Sequence, residues 1–277
     1  MIRVLYPKGR GYSPGALLIL LLFPVLVQAQ ITLGARSVGL GQATVALADQ
    51  EWAIFHNPAT MAETGNHVSF YSIRYFGLTE LTDVAFSGVY NLKSLTIGLG
   101  GHTYGDNNFR ESRFRLAAAK NIKGIRLAAV LNYTNIAFGG DFGSGGALGA
   151  DIGLNAKLTD GLWLGARARN INQPKLGNID EDLTRDMAVG LSYQPLKKAL
   201  VVTEVYKDVR FPVSFRGGIE ISPVDVLQIR TGVTTEPATF SAGVGFIQPK
   251  WSVNVAAQRH EVAELGWSPG IDLSINW

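Results

Sequence analysis

Seven arginines and four carboxylates fall on the polar positions of segments that alternate apolar with polar residues. They are Arg113, Arg115, Arg126, Arg167, Arg169, Arg216 and Arg230, with Asp151, Asp186, Glu220 and Asp272. On a strand, alternate side chains share a face, so these charges line one surface. Buried charges of both signs pair with one another. A guanidinium-rich surface could also meet a carboxylate head group, and both readings fit the residues. Catalysis finds no comparable convergence. His56, His67, His102 and His260 are scattered and lack metal-ligand spacing. Gly143-Ser144-Gly145 has no nucleophile-elbow pattern and no evident Ser–His pair. Gly39-x-Gly41 lacks the third glycine and the preceding strand of a nucleotide fingerprint. The sequon Asn132-Tyr133-Thr134 lies in mid-strand. No enzymatic activity, cofactor or metal is expected from these residues.

A charged face of this kind needs strands to carry it. Val213, Phe215, Gly217, Ile219 and Ile221 alternate with Ser214, Arg216, Gly218 and Glu220, and the pattern runs from about His67 to Trp277. A period of two means strands with one apolar and one polar face. Several segments run 10 to 14 residues, longer than the about five or six of an ordinary strand. They suit a tilted membrane-spanning strand of about 9–11 residues. Short turns at 91–94, 121–124, 159–161, 195–198, 222–225 and 248–250 alternate with links that are generally longer, polar and glycine-rich, at 105–110, 138–146, 170–182 and 259–266. That asymmetry is expected of periplasmic turns and external loops.

The predicted fold class is therefore all-β, a transmembrane antiparallel β-barrel of about 14 strands over 67–277. The strands are expected near 67–77, 82–91, 95–104, 111–121, 125–137, 146–158, 162–170, 184–194, 199–207, 211–222, 226–235, 238–248, 251–261 and 267–277. Twelve strands is the alternative, because 82–91 and 199–207 alternate poorly. The last strand must pair with the first, since an unpaired edge in lipid is intolerable. Ile271, Leu273, Ile275 and Trp277 would face lipid, and Asp272, Ser274 and Asn276 the lumen.

Export fits the N-terminus. Arg3, Lys8 and Arg10 precede the apolar run Ala16 to Val27 and the small-residue site Val27-Gln28-Ala29. Twelve apolar residues are too few to span a bilayer, which takes roughly 20, so residues 1–29 read as a cleaved signal peptide. They hold three of the 25 basic residues and none of the 22 acidic ones, which leaves a neutral remainder. The basic balance is thus no nucleic-acid footprint. Zero cysteines exclude disulfides and a lipidated cysteine. The apolar content, 47% of residues, is dispersed and periodic, as in a bacterial outer-membrane barrel.

Residues 30–66 do not alternate. Val45, Leu47, Ala48, Trp52 and Phe55 have roughly helical spacing, and Asn57-Pro58-Ala59 reads as an extended residue before a short helical turn. Trp52, Ile54 and Phe55 would be exposed apolar bulk in a loose periplasmic tail. An N-terminal plug or hatch with short helices is expected instead. Ala35-Arg36-Ser37-Val38-Gly39-Leu40-Gly41-Gln42-Ala43, then Val45-Ala46-Leu47-Ala48-Asp49, then Asn57-Pro58-Ala59 resemble the N-terminal signature of the PorV/PorQ family. That family is similar to the FadL-type long-chain fatty acid transporters. The resemblance is carried by Arg36, Gly39, Gly41, Asp49, Asn57, Pro58 and Ala59. It implies a 14-stranded barrel with an N-terminal hatch and one of two roles. The preferred expectation is partnership in type IX protein secretion, docking a translocon or cargo protein. The alternative is passage of hydrophobic small molecules such as long-chain fatty acids.

Transporters of this class have a third strand kinked so that it opens sideways into the bilayer. In Thr96–Gly105 the residues placed for such an opening are Gly98, Gly100 and Gly101. The other reading has small residues making room for a hatch side chain such as Trp52. Trp277 resembles the C-terminal aromatic signal read by the barrel-assembly machinery. Expected partners are outer-membrane lipid, that machinery, a translocon or cargo protein, and an apolar small molecule; nucleic acid is not expected.

Overall fold

The computed structural model describes residues 32–48, 50–140, 143–177, 182–261 and 263–277. The expected signal peptide, and Asp49 of the N-terminal signature, lie outside the described residues.

Alternation closes into a single sheet. Its strands are β1 (His67–Arg74), β2 (Thr82–Asn91), β3 (Thr96–Gly105), β4 (Phe109–Ile122), β5 (Ile125–Phe138), β6 (Ser144–Thr159), β7 (Leu162–Arg169), β8 (Asp186–Leu196), β9 (Ala199–Asp208), β10 (Ser214–Val224), β11 (Leu227–Thr235), β12 (Ala238–Ile247), β13 (Trp251–His260) and β14 (Trp267–Asn276). Each pairs antiparallel with its sequence neighbours, and β1 pairs with β14 from His67↔Asn276 to Ile73↔Gly270. The result is a closed barrel of fourteen strands, which excludes the twelve-strand alternative. The Trp277 N–H donates to the Asn66 carbonyl at 3.1 Å, so bonding across this seam continues to the aromatic residue. β1 ends at Arg74 because Tyr75–Gly77 turns away as a 3-10 helix in which Phe76 takes a positive φ of 56°.

The outer face is apolar. Phe70, Leu99, Leu116, Leu131, Leu148 and Phe215 are each more than half exposed, together with their neighbours a band far beyond what water-soluble monomers leave uncovered. Lipid is the solvent such a band requires. On β14, Ile271, Leu273 and Ile275 point outward while Asp272 and Ser274 are buried. At the loop end Tyr75, Tyr104, Phe109 and Phe138 make successive ring contacts with centroids 5.6–6.4 Å apart, in the manner of an interfacial girdle. The loop end is sparser than expected in one place: only Glu236 and Pro237 separate β11 from β12. Among the described residues no helix is long and apolar enough to cross a membrane.

About eight strands enclose a space that wall side chains can fill, and about 16–18 leave a channel. Fourteen strands need further filling, and residues 32–64 supply it. Trp52, Ile54, Phe55 and Met61 of this inner segment are all buried. The segment holds helix α1 (Ala35–Gly39) and a 3-10 helix at Pro58–Glu63, joined by turns. Among the described residues the helical spacing from Val45 to Phe55 forms turns and no helix, which corrects that expectation. Side chains take the backbone groups a helix would pair: Glu204 accepts from the N–H groups of Thr44 and Val45, and Asn57 donates to the Val45 carbonyl. The inner segment also explains the poor alternation of 199–207. Leu200 and Val202 point inward from β9 and join Leu40, Ala43 and Leu47 in one buried cluster.

Candidate functional site

The junction between wall and inner segment concentrates the lumen charges. Arg36 on α1 grips Glu220 of β10 with two bonds, Nε–Oε2 at 2.9 Å and Nη2–Oε1 at 2.8 Å. Arg230 of β11 donates to the same carboxylate at 2.6 Å and to Asn254 Oδ1 at 2.7 Å. The Asn254 amide donates to Asp272 Oδ1 at 2.7 Å, and Asp272 Oδ2 accepts the Ala35 N–H at 2.7 Å. One chain of charge-assisted bonds thus ties α1 to four strands. Gly39 lies where a Cβ would sit 3.3 Å from Arg230 Cβ. Gly41 has a φ of 61°, and a Cβ there would lie 2.5 Å from the Val233 nitrogen. Both glycines are needed for α1 to approach the wall so closely.

A second anchor is Glu204. Besides the Thr44 and Val45 N–H groups, each at 2.9 Å, it accepts from Arg216 at 3.1 Å. A third is Asn57, whose Nδ2 donates to the Val45 and Leu154 carbonyls at 2.6 and 2.9 Å while Oδ1 accepts the Ala59 N–H at 3.2 Å. It therefore caps the helix that Pro58 begins. Arg167 and Arg169 donate to the His56 and Phe55 carbonyls and pair with Asp186. Arg115 pairs with Asp151, which also accepts from Asn132 and the Asn170 N–H. Arg113 pairs with Glu111 at 2.7 Å. Arg126 stacks on the Trp163 indole and donates to Asn155. The lumen charges are thus largely paired with one another and with the inner segment.

β3 keeps an unbroken register with β2, from Asp83↔Tyr104 to Asn91↔Thr96, and with β4. Cβ atoms built on Gly98 and Gly100 would lie 2.7 Å from Met61 Sδ and 2.8 Å from Phe55. Gly101 lies under the Phe86 ring on the other face. Trp52 stands elsewhere, packed on Tyr71 with centroids 5.6 Å apart. The small residues of β3 therefore meet Ile54, Phe55 and Met61.

Sequence reasoning passed over Glu204, the hatch-facing role of Asp272, and His56, whose Nε2 lies 2.6 Å from the Leu33 carbonyl. One available signal was glycine at inward positions. Cβ atoms on Gly165, Gly218 and Gly232 would run into the backbone of Val45, Leu40 and Gly41, and one on Gly153 into Asn57 and Pro58. These glycines trace the path of the inner segment along the wall. Among the described residues no three His, Asp or Glu side chains gather as metal ligands.

No protein-family profile and no curated protein matches the sequence. Solved structures do resemble this one. A FadL homologue of Pseudomonas aeruginosa aligns at 13% identity with a TM-score of 0.57, covering 88% of this chain and 98% of that one. The fold is that of the FadL-like outer-membrane barrels. The toluene transporter TodX of Pseudomonas putida aligns with this chain at 13% identity and a TM-score of 0.66, covering 87% of this chain and 96% of the other. The monoaromatic hydrocarbon channel CymD gives 12% and 0.64, with 88% and 97% covered. The finer PorV/PorQ likeness rests on the signature at 35–59 alone.

Proposed function

We propose that this barrel passes small hydrophobic molecules across an outer membrane and performs no chemistry on them. The observation that carries the reading is a fold shared over nearly the whole chain with barrels described as a toluene transporter and a monoaromatic hydrocarbon channel. The interior is compatible with it. Polar anchors hold the inner segment to β6, β7, β9, β10 and β14, whereas towards β3 it presents Ile54, Phe55 and Met61 to glycines. An apolar molecule entering along that seam would meet these side chains, with the Arg115 guanidinium over the Phe55 ring already paired to Asp151. At Gly98 and Gly100 β3 has no side chain to fasten it to the segment, so that its inward contact there is the edge of His102 against Phe55, and Gly101 gives the strand freedom to bend. The opening is thus assigned to β3, with Ile54, Phe55 and Met61 as the groups that move.

The secretion-linked role draws only on the N-terminal signature, and the solved structures favour transport over it. The test is uptake. Intact cells displaying the protein in their outer membrane should accumulate radiolabelled toluene several-fold faster than cells without it, and no gain at equal abundance overturns the reading. Native mass spectrometry of the protein extracted from its own outer membrane checks the competing role. A stoichiometric protein partner, with no apolar small molecule, would restore the secretion reading.

A further inference from the structure

Charge at the turn end of the barrel is one-sided. Of nine lysines after residue 29, seven lie in or beside the short turns, whose carboxylates are Asp160 and Asp225. Lys157 and Lys198 meet those two carboxylates at 2.7 and 3.8 Å. Lys93, Lys120, Lys123, Lys197 and Lys250 remain, all exposed and paired with no carboxylate among the described residues. They are spread over the β2–β3, β4–β5, β8–β9 and β12–β13 turns, and so surround the barrel. Four stand beside a large apolar side chain that is also exposed: Leu92 next to Lys93, Ile122 next to Lys123, Leu196 next to Lys197 and Trp251 next to Lys250. The fifth, Lys120, takes an outward position of β4, opposite Leu127 of β5. Such pairs fix the depth of the turns in a membrane. An exposed isoleucine or tryptophan at a strand end belongs at the acyl boundary, and a neighbouring lysine lays its stem on that surface and extends its ammonium to the head groups. At the loop end the signs mix, with Glu80, Glu261 and Glu264 exposed in the loops that follow Arg74 and Arg259.

We propose that this rim binds anionic phospholipid in the leaflet at the turn end. Phosphodiester head groups of net negative charge sit among Lys93, Lys120, Lys123, Lys197 and Lys250, with their acyl chains against Leu92, Ile122, Leu196 and Trp251. Lipid is favoured over a soluble partner by placement. The lysines encircle the barrel and Lys120 projects from its lipid-facing side, whereas a docked protein would cover one sector. The inference concerns how the barrel is held in its membrane and goes beyond the passage of hydrophobic molecules through it.

Electron spin resonance of spin-labelled lipids tests it on the full chain reconstituted in phosphatidylcholine bilayers. Labelled phosphatidylglycerol should be immobilised by the protein with a preference of about threefold or more over labelled phosphatidylcholine, and salt raised to about 1 M should erase that preference. Lys93→Gln, Lys120→Gln, Lys123→Gln, Lys197→Gln and Lys250→Gln together should erase it at low salt, while the five Lys→Arg counterparts should keep it. The salt series reads the parent chain, so the outcome does not depend on a variant folding. Equal immobilisation of the two lipids by the parent overturns the proposal, as does a preference that survives in the glutamine variant. A preference lost instead in Arg74→Gln with Arg259→Gln assigns the lipid to the loop end and overturns it too. An acidic protein that co-purifies with the parent and not with the glutamine variant, without any lipid preference, gives the surface to that protein. Toluene uptake is measured separately, so failure here leaves the transport reading standing.

Discussion

Glu220 is a single carboxylate shared by two guanidinium groups, one from the wall and one from the inner segment. Removing one partner of a buried ion pair strands the other at a cost of about 3–5 kcal/mol. Glu220→Gln should therefore loosen the seating of residues 35–45, read as faster amide hydrogen exchange there. Arg36→Ala leaves the Arg230–Glu220 pair in place and should loosen it less. Unchanged exchange in Glu220→Gln would mean that the pair contributes no hold. His56 adds a pH dependence of definite sign. Burial, helped by the charges of Arg167, Arg169 and Arg216, lowers its pKa from 6.5 to about 3, so the seated ring is neutral and its Nε2–H can donate to Leu33. A released segment takes up a proton below pH 6.5 that the seated one refuses until about 3. Seating is thus complete above 6.5 and weakens by up to about 1.4 kcal/mol per pH unit through that window. Exchange in residues 50–60 should rise from pH 7 to pH 4, and His56→Gln should flatten the part of that rise due to the ring. The inward phase of these charges was legible in the sequence. Their partners were not, because a pair such as Arg36–Glu220 joins residues 184 apart.

At the level of the strand and the segment, glycine decides who can approach whom. A Cβ on Gly218 would lie 2.5 Å from the Leu40 carbonyl, which is backbone and cannot swing aside. Gly218→Val should therefore unseat the inner segment while the sheet stays paired, seen as protease cleavage within residues 32–64 of an otherwise resistant barrel. On β3 the neighbours are side-chain ends. Gly98→Val with Gly100→Val should be tolerated by the fold yet crowd Met61 and Phe55, cutting toluene uptake several-fold. Uptake equal to that of the parent would remove β3 from the route. Strand positions were largely legible beforehand, since all fourteen predicted segments lie within three residues of the observed ends. Where alternation faltered, at β9, the cause was an inward face that packs on Leu40 and Leu47 instead of water or charge. The turns between Val45 and Phe55 were not legible, because their form depends on Glu204 and Asn57 taking the backbone groups that would otherwise make a helix.

The whole molecule divides its bonding between two tasks. The wall is closed by its own backbone ladder, with every strand paired on both sides, whereas the inner segment is held by side chains, a few close backbone contacts and buried apolar surface. An independent wall requires that deleting residues 32–64 leave a barrel that still migrates as a compact species before boiling and unfolds on heating. The lumen of that variant would lose Trp52, Ile54, Phe55 and Met61 together with the anchors on α1, and water would take their place. Fourteen strands then enclose a continuous aqueous path, by the same scaling that gives somewhat larger barrels their channels. Planar-bilayer recordings should show long-lived conductance for the deletion and none for the full chain. Because Arg167, Arg216 and Arg230 would be solvated together with their wall partners Asp186, Glu204 and Glu220, the open pore should discriminate little between anions and cations, and reversal potentials near zero in a salt gradient would report that. A deletion that folds but stays closed would mean the wall collapses inward or other segments fill it, and the inner segment would no longer count as what seals the barrel.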